Sequence, residues 1–239
     1  MRIKEECIGC GLCVPFCPVG AIALTGDVGE ADQDACVECG VCTRCMECPV
    51  GAMEQLTTAE LPYPRNLRRY FSDPIAVSPV TQAGGRGTEE GKTNDRTGRF
   101  KFGEAGFSVE MGRPGISTSF KDVQTVSRAV AKVGAVFEKQ NPIWPLLADP
   151  ATGDIKPEIL GERILSLVVE FTVPVGRTGD VIVALRSIED KIDTVFSLGV
   201  ITRVNPDKTI PVIGLLQAAG CTVKPNAKVN VGLGRPLVL

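Results

Sequence analysis

Residues 7–18 read Cys7-Ile-Gly-Cys10-Gly-Leu-Cys13-Val-Pro-Phe-Cys17-Pro18, and residues 36–49 read Cys36-Val-Glu-Cys39-Gly-Val-Cys42-Thr-Arg-Cys45-Met-Glu-Cys48-Pro49. Nine of the ten cysteines of this 239-residue chain lie in these two runs. Three cysteines at intervals of three, followed by a fourth ahead of proline, form a ligand pattern of iron–sulfur clusters. This spacing lets a short loop bind three corners of a cubane and leaves one iron for a cysteine from elsewhere in the chain. Electron transfer is therefore the leading hypothesis for function.

Zinc sites and disulfide frameworks are the other common uses of closely spaced cysteines. Zinc sites generally use two Cys-x2-Cys pairs separated by a loop, whereas the interval of three is repeated here. Disulfide frameworks are typical of secreted chains with cysteines throughout the fold, and these runs occupy only the first fifth of the sequence. The chain contains no histidine, which excludes Rieske-type ligation, histidine-bound haem and any Ser-His or Cys-His catalytic pair within it.

Glycines and prolines around the cysteines are consistent with a cluster site. Gly9, Gly11 and Gly40 are expected to let the backbone pack close to inorganic sulfide, where a side chain would collide. Pro18 and Pro49 fix the backbone just after the last cysteine of each run. We expect both prolines to turn the chain away from the cluster.

Both runs resemble the bacterial dicluster ferredoxin family, and the resemblance covers residues 1–58. The first run continues as Cys-Pro-Val-Gly-Ala-Ile to Ile22, and the second as Cys-Pro-Val-Gly-Ala-Met to Met53. In that family the fourth cysteine of each repeat binds the cluster of the other repeat. The resemblance therefore implies two [4Fe-4S] clusters. It assigns the first cluster to Cys7, Cys10, Cys13 and Cys48, and the second to Cys17, Cys36, Cys39 and Cys42.

The second run departs from the family pattern at Cys45. Five residues separate Cys42 from Cys48, where three separate Cys13 from Cys17. Cys45 either replaces Cys42 as a ligand or is a spare thiol in a longer loop. We favour the spare thiol, because the interval of three that starts at Cys36 already supplies three ligands.

Charge divides the chain into oppositely charged parts. Residues 1–60 contain ten acidic and three basic residues, a net charge of −7, whereas the whole chain carries −2. Negative surroundings disfavour the addition of an electron to a cluster. We therefore expect low reduction potentials, which would suit anaerobic metabolism.

A basic segment rich in proline and glycine follows the cysteine-bearing part. We divide the chain into a dicluster ferredoxin domain (1–60), a linker or arm (61–102) and an α+β domain (103–239). One interpretation of the basic segment is a solvated linker. The other is an arm that lies across the acidic domain and restricts which face a partner can reach. Nucleic-acid binding is not expected, because the neighbouring acidic domain would repel phosphate.

The third part has the periodicity of a globular α+β domain. Ser119 is suited to cap a helix over 120–139, where apolar residues recur every three or four positions, and Asn141-Pro142 is expected to end it. The other predicted elements are strands over 107–111, 164–173, 194–204 and 223–231 and helices over 178–191 and 211–219. These elements predict an α+β sandwich of helices on one sheet, ferredoxin-like or ACT-like in architecture.

Three functional hypotheses follow from the sequence. In the favoured one, the chain is a non-catalytic electron carrier or subunit that relays low-potential electrons between redox proteins, with a larger oxidoreductase as partner. Alternatively, it is an iron–sulfur oxidoreductase subunit whose third part binds an organic substrate, or a ligand or redox sensor with an ACT-like module. No Gly-x-Gly-x-x-Gly fingerprint opens a strand–helix unit, which favours the carrier.

The sequence also gives expectations about cellular location and about contacts between copies of the chain. The sequence has neither a signal-peptide pattern at its start nor an apolar stretch long enough for a bilayer. We therefore expect a cytoplasmic protein without a membrane span. The α+β part is the expected place of any contact between copies in a homo-oligomer.

Overall fold

Helices and strands alternate along the chain, which confirms the predicted mixed α and β class. The computed structural model describes residues 1–77 and 98–223. The strand predicted over 223–231 lies outside the described residues from position 224 onward. No helix in the described ranges is long and apolar enough to cross a membrane.

The first sixty residues form two small antiparallel sheets joined by cysteine-bearing loops. The elements are β1 (Arg2–Ile3), β2 (Ile22–Thr25), β3 (Val28–Ala31), α1 (Val41–Cys45) and β4 (Met53–Glu54). β2 and β3 form a hairpin, and β1 pairs with β4 so that the two ends of this segment lie side by side. The core between the sheets contains few apolar side chains, and buried cysteines supply part of it.

Helix α2 (Asn66–Ser72) lies in the segment predicted as a linker or arm and packs against the third part of the chain. The ring of Phe71 meets that of Phe120 edge to face, with centroids 5.6 Å apart. The hydroxyl of Ser72 accepts a hydrogen bond of 2.8 Å from the backbone N–H of Leu165. The helix is therefore a packed element, held by apolar and polar contacts.

The third part is built on a four-stranded antiparallel sheet. Its elements are β5 (Glu104–Met111), β6 (Thr118–Ser119), α3 (Phe120–Ala131), β7 (Val136–Phe137), β8 (Leu147–Asp149), β9 (Asp154–Ile155), β10 (Arg163–Ile164), β11 (Leu167–Pro174), α4 (Thr178–Arg186), β12 (Phe196–Thr202) and α5 (Val212–Ala218). The sheet has the strand order β12-β5-β11-β7, and β6/β10 and β8/β9 form separate pairs. The chain therefore visits the main sheet in the sequence β-α-β-β-α-β.

Alternating residues of the two central strands form the core. Phe107 and Val109 of β5 lie opposite Phe171 and Val169 of β11, and the rings of Phe107 and Phe171 stack with centroids 5.3 Å apart. The buried faces of α3 and α4 belong to the same apolar cluster. Side chains on one face of a strand recur every two residues, so this alternation places one face of each central strand toward the helices.

The structure corrects the predicted bounds of three elements. The helix predicted over 120–139 ends at Ala131, because Gly134 turns the chain at φ +82° and Phe137 pairs with Phe171 in the sheet. The strand predicted over 164–173 is two strands, since β10 pairs with β6 whereas β11 pairs with β5 and β7. The helix predicted over 178–191 ends at Arg186 and is followed by a short 3₁₀ turn.

The start of α3 confirms the predicted cap. The hydroxyl of Ser119 accepts a hydrogen bond of 3.1 Å from the backbone N–H of Asp122. The Asp122 carboxylate accepts hydrogen bonds from the backbone N–H and the hydroxyl of Ser119, at 3.2 and 2.7 Å. This reciprocal capping box satisfies amide groups that have no partner within the helix.

Removal of this cap should destabilise the third part of the chain. We expect Ser119→Ala to lower the free energy of unfolding by about 1 kcal/mol, because the first turn of α3 loses its hydrogen-bond acceptor. Chemical denaturation followed by circular dichroism measures the change. Lys121→Ala, on the exposed side of the same turn, is the control and should change stability by less than about 0.5 kcal/mol. Equal effects of the two substitutions would contradict this account of the cap.

Candidate iron–sulfur centre

Four of the cysteines line one cavity in the first sixty residues. Cys7, Cys10, Cys13 and Cys48 surround it. The first three follow β1 and the last precedes β4, so the pairing of these two strands brings them together. Burial, followed by the charges of Cys10, Cys7 and Cys48, raises the pKa of the Cys13 thiol. These residues form the first thiol group, and they are the set that the family resemblance assigns to one cluster.

A second thiol group contains Cys17, Cys36, Cys39 and Cys42. Burial, followed by the charges of Cys39, Cys36 and Cys17, raises the pKa of Cys42 to about 12. Burial and the charges of Cys36 and Cys17 also raise the pKa of Cys39. The structure thus places the last cysteine of each run beside the first three of the other run.

Cys45 differs from its neighbour Cys42 in its surroundings. Both residues lie on α1, but Cys42 is buried and Cys45 is exposed at the last position of the helix. Burial, followed by the charges of the neighbouring thiols, raises the pKa of Cys42. This difference is consistent with a ligand role for Cys42 and a spare thiol at Cys45.

Backbone N–H groups donate to sulfur in both thiol groups. The amides of Ala21 and Ala52 donate to the Sγ atoms of Cys17 and Cys48, at 3.1 and 3.3 Å. In both runs the donor is the alanine of Cys-Pro-Val-Gly-Ala, so the repeated sequence forms a repeated contact. The amide of Gly29 donates to Cys7 Sγ at 3.3 Å. Such donors stabilise thiolates, the form that binds iron.

The donors around Cys48 act on its ionisation. Hydrogen bonds from the backbone N–H groups of Val50, Ala52 and Met53 lower the pKa of this thiol. Among the residues that the structure describes, no three His, Cys, Asp or Glu side chains are close enough to hold a single metal ion. In a cubane cluster each thiolate binds a different iron. Four thiols around one cavity, with amides directed at sulfur, fit such a group.

Protein neighbours lie close to two of the glycines in the loops. Gly9 has φ +63°, and a Cβ atom there would overlap the backbone carbonyl of Asp27. Gly40 has φ +67°, and a Cβ atom there would overlap the side chains of Gln55 and Arg44. The sequence predicted close approach to sulfide as the reason for glycine. The described contacts add a further reason, which is close packing of the loops on the β2–β3 turn and on polar side chains.

Arginine side chains hold the loop that carries the second thiol group. Nη1 of Arg68 donates to the carbonyl oxygens of Gln33, Asp34 and Cys36, at 2.9, 2.9 and 2.8 Å. Nη2 of Arg44 donates to the carbonyl oxygen of Cys39 at 2.7 Å. These bonds fix the backbone at two of the buried cysteines.

Two arginines near this loop form ion pairs with buried carboxylates. Arg44 pairs with the buried Asp73 at 2.9 Å, and Arg65 pairs with the buried Glu38 at 2.6 Å. Burial favours the neutral form of Glu38, but the amino group of Met1 and the guanidinium of Arg65 outweigh it and hold its pKa below the usual value. Arg65, Arg68 and Arg69 are spaced along the sequence as neighbours on one helix face. That spacing was the available signal for these residues, which the sequence analysis did not assign to the site.

The first thiol group has a more exposed and more apolar rim. Cys10 is exposed, and the cavity is also lined by Ile8 and Leu24, which are 60% and 47% exposed. Val50 completes this rim and is 39% exposed. Exposed apolar side chains that cluster at one place are typical of surfaces that contact other proteins.

Comparison with known proteins supports the nature of the thiol groups. The family of 4Fe-4S binding domains matches residues 2–23, which contain the first run. The chain is 46% identical over 48 residues to the "Ferredoxin-like protein in vnf region" of Azotobacter chroococcum, covering 19% of this chain and 74% of that protein. It is 46% identical over 39 residues to "Ferredoxin-3" of Chlorobaculum tepidum, covering 16% of this chain and 63% of that protein.

A third relative is a subunit of an enzyme. The chain is 41% identical over 51 residues to "Pyruvate synthase subunit PorD" of Methanothermobacter marburgensis, covering 21% of this chain and 57% of that protein. The chain thus spans less than two thirds of the length of this subunit and of Ferredoxin-3. No solved structure matches the chain.

The cysteine runs and these relatives define the N-terminal part as a 4Fe-4S binding domain of the ferredoxin class. The chain belongs to the ferredoxin family through its N-terminal domain.

Substitution of Gly9 adds two costs, the overlap of a Cβ atom with the Asp27 carbonyl and the strain of a positive φ. A second glycine with a similar φ and open space around it separates the two. We expect Gly9→Ala to speed the loss of cluster absorption in air at least about fivefold, because the overlap with Asp27 strains the loop by roughly 1–3 kcal/mol. Gly20→Ala is the matched control, since Gly20 has φ +66° and nothing within 4 Å of an added Cβ. Absorption spectroscopy measures both rates. Equal rates for the two variants would contradict a special role for the Gly9 contact.

Proposed function

We propose that this chain is an electron-transfer component that binds two [4Fe-4S] clusters and relays electrons between redox proteins. The observation that carries the proposal is the grouping of eight thiols into two sets of four, each completed by a cysteine from the other run. The first cluster is bound by Cys7, Cys10, Cys13 and Cys48. The second is bound by Cys17, Cys36, Cys39 and Cys42.

When bound, each cluster supplies a site that takes up and releases one electron. The protein contributes the thiolates, the amides of Ala21, Gly29 and Ala52 that stabilise charge on sulfur, and the buried loop around the second group. The exposed rim of the first group makes it the place of exchange with a partner. Its apolar residues exclude water from the contact, and the net negative charge of residues 1–60 favours a basic partner.

We propose that the rest of the chain is a docking or assembly module rather than a catalytic domain. Its β-α-β-β-α-β order, with the sheet order β12-β5-β11-β7, is that of ferredoxin-like α+β sandwiches. On this proposal residues 1–60 are the cluster domain, residues 61–102 the arm and residues 103–239 the docking domain. The relative PorD is named as a subunit of pyruvate synthase, which supports a larger oxidoreductase as the partner.

Metal and sulfide content tests the proposal directly. Protein purified without oxygen should contain about eight irons and about eight acid-labile sulfides per chain. After chemical reduction, the electron paramagnetic resonance spectrum should account for about two spins per chain, because each cluster accepts one electron. Zinc in place of iron, or iron sufficient for only one cluster, would contradict the two-cluster assignment.

Substitution of Cys45 and Cys42 separates the spare thiol from the ligand. We expect Cys45→Ala to retain about eight irons per chain, because Cys45 is exposed and outside both sets. Cys42→Ala should lose iron and the signal of one reduced cluster, because it removes a buried ligand. Iron analysis and electron paramagnetic resonance measure both outcomes. A large loss of iron in Cys45→Ala would show instead that this residue is a ligand.

A further inference from the structure

We propose that Arg68 is a positioning residue for the second cluster and that its ion pair with Glu162 sets the reduction potential of that cluster. This inference rests on the proposed function, since it requires a cluster at Cys17, Cys36, Cys39 and Cys42. It assigns a role in electron transfer to a residue of the third part of the chain. The argument starts from the contacts of one buried guanidinium.

Arg68 lies between the loop of the second thiol group and the third part of the chain. The residue is only 5% exposed. One side of its guanidinium donates to three carbonyl oxygens of residues 33–36, including that of Cys36. Its Nε atom forms an ion pair with the carboxylate of Glu162. A planar guanidinium with several fixed donors suits this bridging position, which the single ammonium of lysine would not fill.

The position of the carboxylate partner distinguishes this ion pair from its neighbours. The partner of Arg44 is Asp73 of the arm, and the partner of Arg65 is Glu38 of the cluster domain. Glu162 belongs instead to the third part, and its carbonyl oxygen accepts a hydrogen bond of 3.1 Å from the amide of Phe120 at the start of α3. A displacement of α3 would therefore move the backbone that carries the charge opposite Arg68.

Electrostatics gives the direction of the effect. A guanidinium stays charged in proteins, and charges in a buried site are weakly screened. A positive charge near a cluster stabilises the added electron and raises the potential, whereas a negative charge lowers it. Glu162 offsets part of the charge of Arg68. Neutralisation of Glu162 should therefore raise the potential of the second cluster, and neutralisation of Arg68 should lower it.

A redox titration of the full chain tests this proposal. Reduction of both clusters is followed by electron paramagnetic resonance, and the second cluster is identified by the signal that Cys42→Ala removes. We expect Glu162→Gln to favour reduction of the second cluster about tenfold, which is 59 mV for one electron. The potential of the first cluster should not change. An unchanged second potential, or an equal shift of both clusters, would overturn the proposal.

The control is Glu158→Gln, which neutralises a carboxylate four residues earlier. Glu158 is exposed and contacts the hydroxyl of Tyr63 at 3.2 Å, so it is also next to the arm but not paired with Arg68. We expect this variant to leave both potentials unchanged. A shift as large as that of Glu162→Gln would mean that general surface charge is responsible and would also overturn the proposal.

Two variants of Arg68 separate its charge from its geometry. Arg68→Gln should lower the potential of the second cluster, and Arg68→Gln combined with Glu162→Gln should return it toward the wild-type value. Arg68→Lys keeps the charge but loses the contacts with three carbonyls, so it should release iron from the second site faster while the potential changes less than in Arg68→Gln. If the Arg68 variants do not fold, Glu162→Gln and its control still decide the question. Absence of a second cluster from the wild-type protein would refute the proposed function, whereas a present but unshifted cluster refutes only this inference.

Discussion

The N-terminal domain depends on one constraint, which is that four thiols must lie close together in each of its two thiol groups. Its sheets have two or four residues per strand, and its core contains buried cysteines among few apolar side chains. Such a core buries too little apolar surface to stabilise a small domain well. Metal ligation can supply the missing free energy, because binding to a site that exists only in the folded chain stabilises the folded state. The crossing of Cys17 and Cys48 between the sets joins both runs into one unit.

The two thiol groups differ in their surroundings, and this difference gives the proposed relay a direction. The first group has an exposed cysteine and an apolar rim. The second has three buried cysteines, and its loop is held by the guanidinium groups of Arg44 and Arg68. On the proposed function, a partner reaches the first cluster at the surface, whereas the second is influenced by the arm and the α+β part. The charge division of the sequence has a structural counterpart here, since basic α2 lies against the acidic cluster domain.

The sequence was most informative where a local chemical pattern determines the structure. The intervals between cysteines and the repeated Cys-Pro-Val-Gly-Ala correspond to thiol groups and to amide–sulfur bonds. The cap at Ser119 was predictable because it needs only residues three positions apart. The strand predicted over 107–111 and the helix predicted over 211–219 likewise lie within a few residues of the observed β5 and α5.

Features that depend on distant contacts were not predictable in the same way. Val133 and Phe137 fit a helical period, but Phe137 pairs with Phe171 of β11, a contact with a residue more than thirty positions away. The break after Ile164 arises because β10 and β11 have different partners. The arginine contacts depend on carbonyl oxygens, which every residue possesses, so the sequence carries no signal for Arg68 and Cys36 as a pair.

Anomalous diffraction from crystals grown without oxygen tests the central claim most directly, because it locates iron independently of spectroscopic assignment. The account predicts two compact maxima at the iron absorption edge, one among Cys7, Cys10, Cys13 and Cys48 and the other among Cys17, Cys36, Cys39 and Cys42. A single iron maximum would contradict it. So would maxima at the zinc edge alone, or a second maximum bound by Cys45 in place of Cys42.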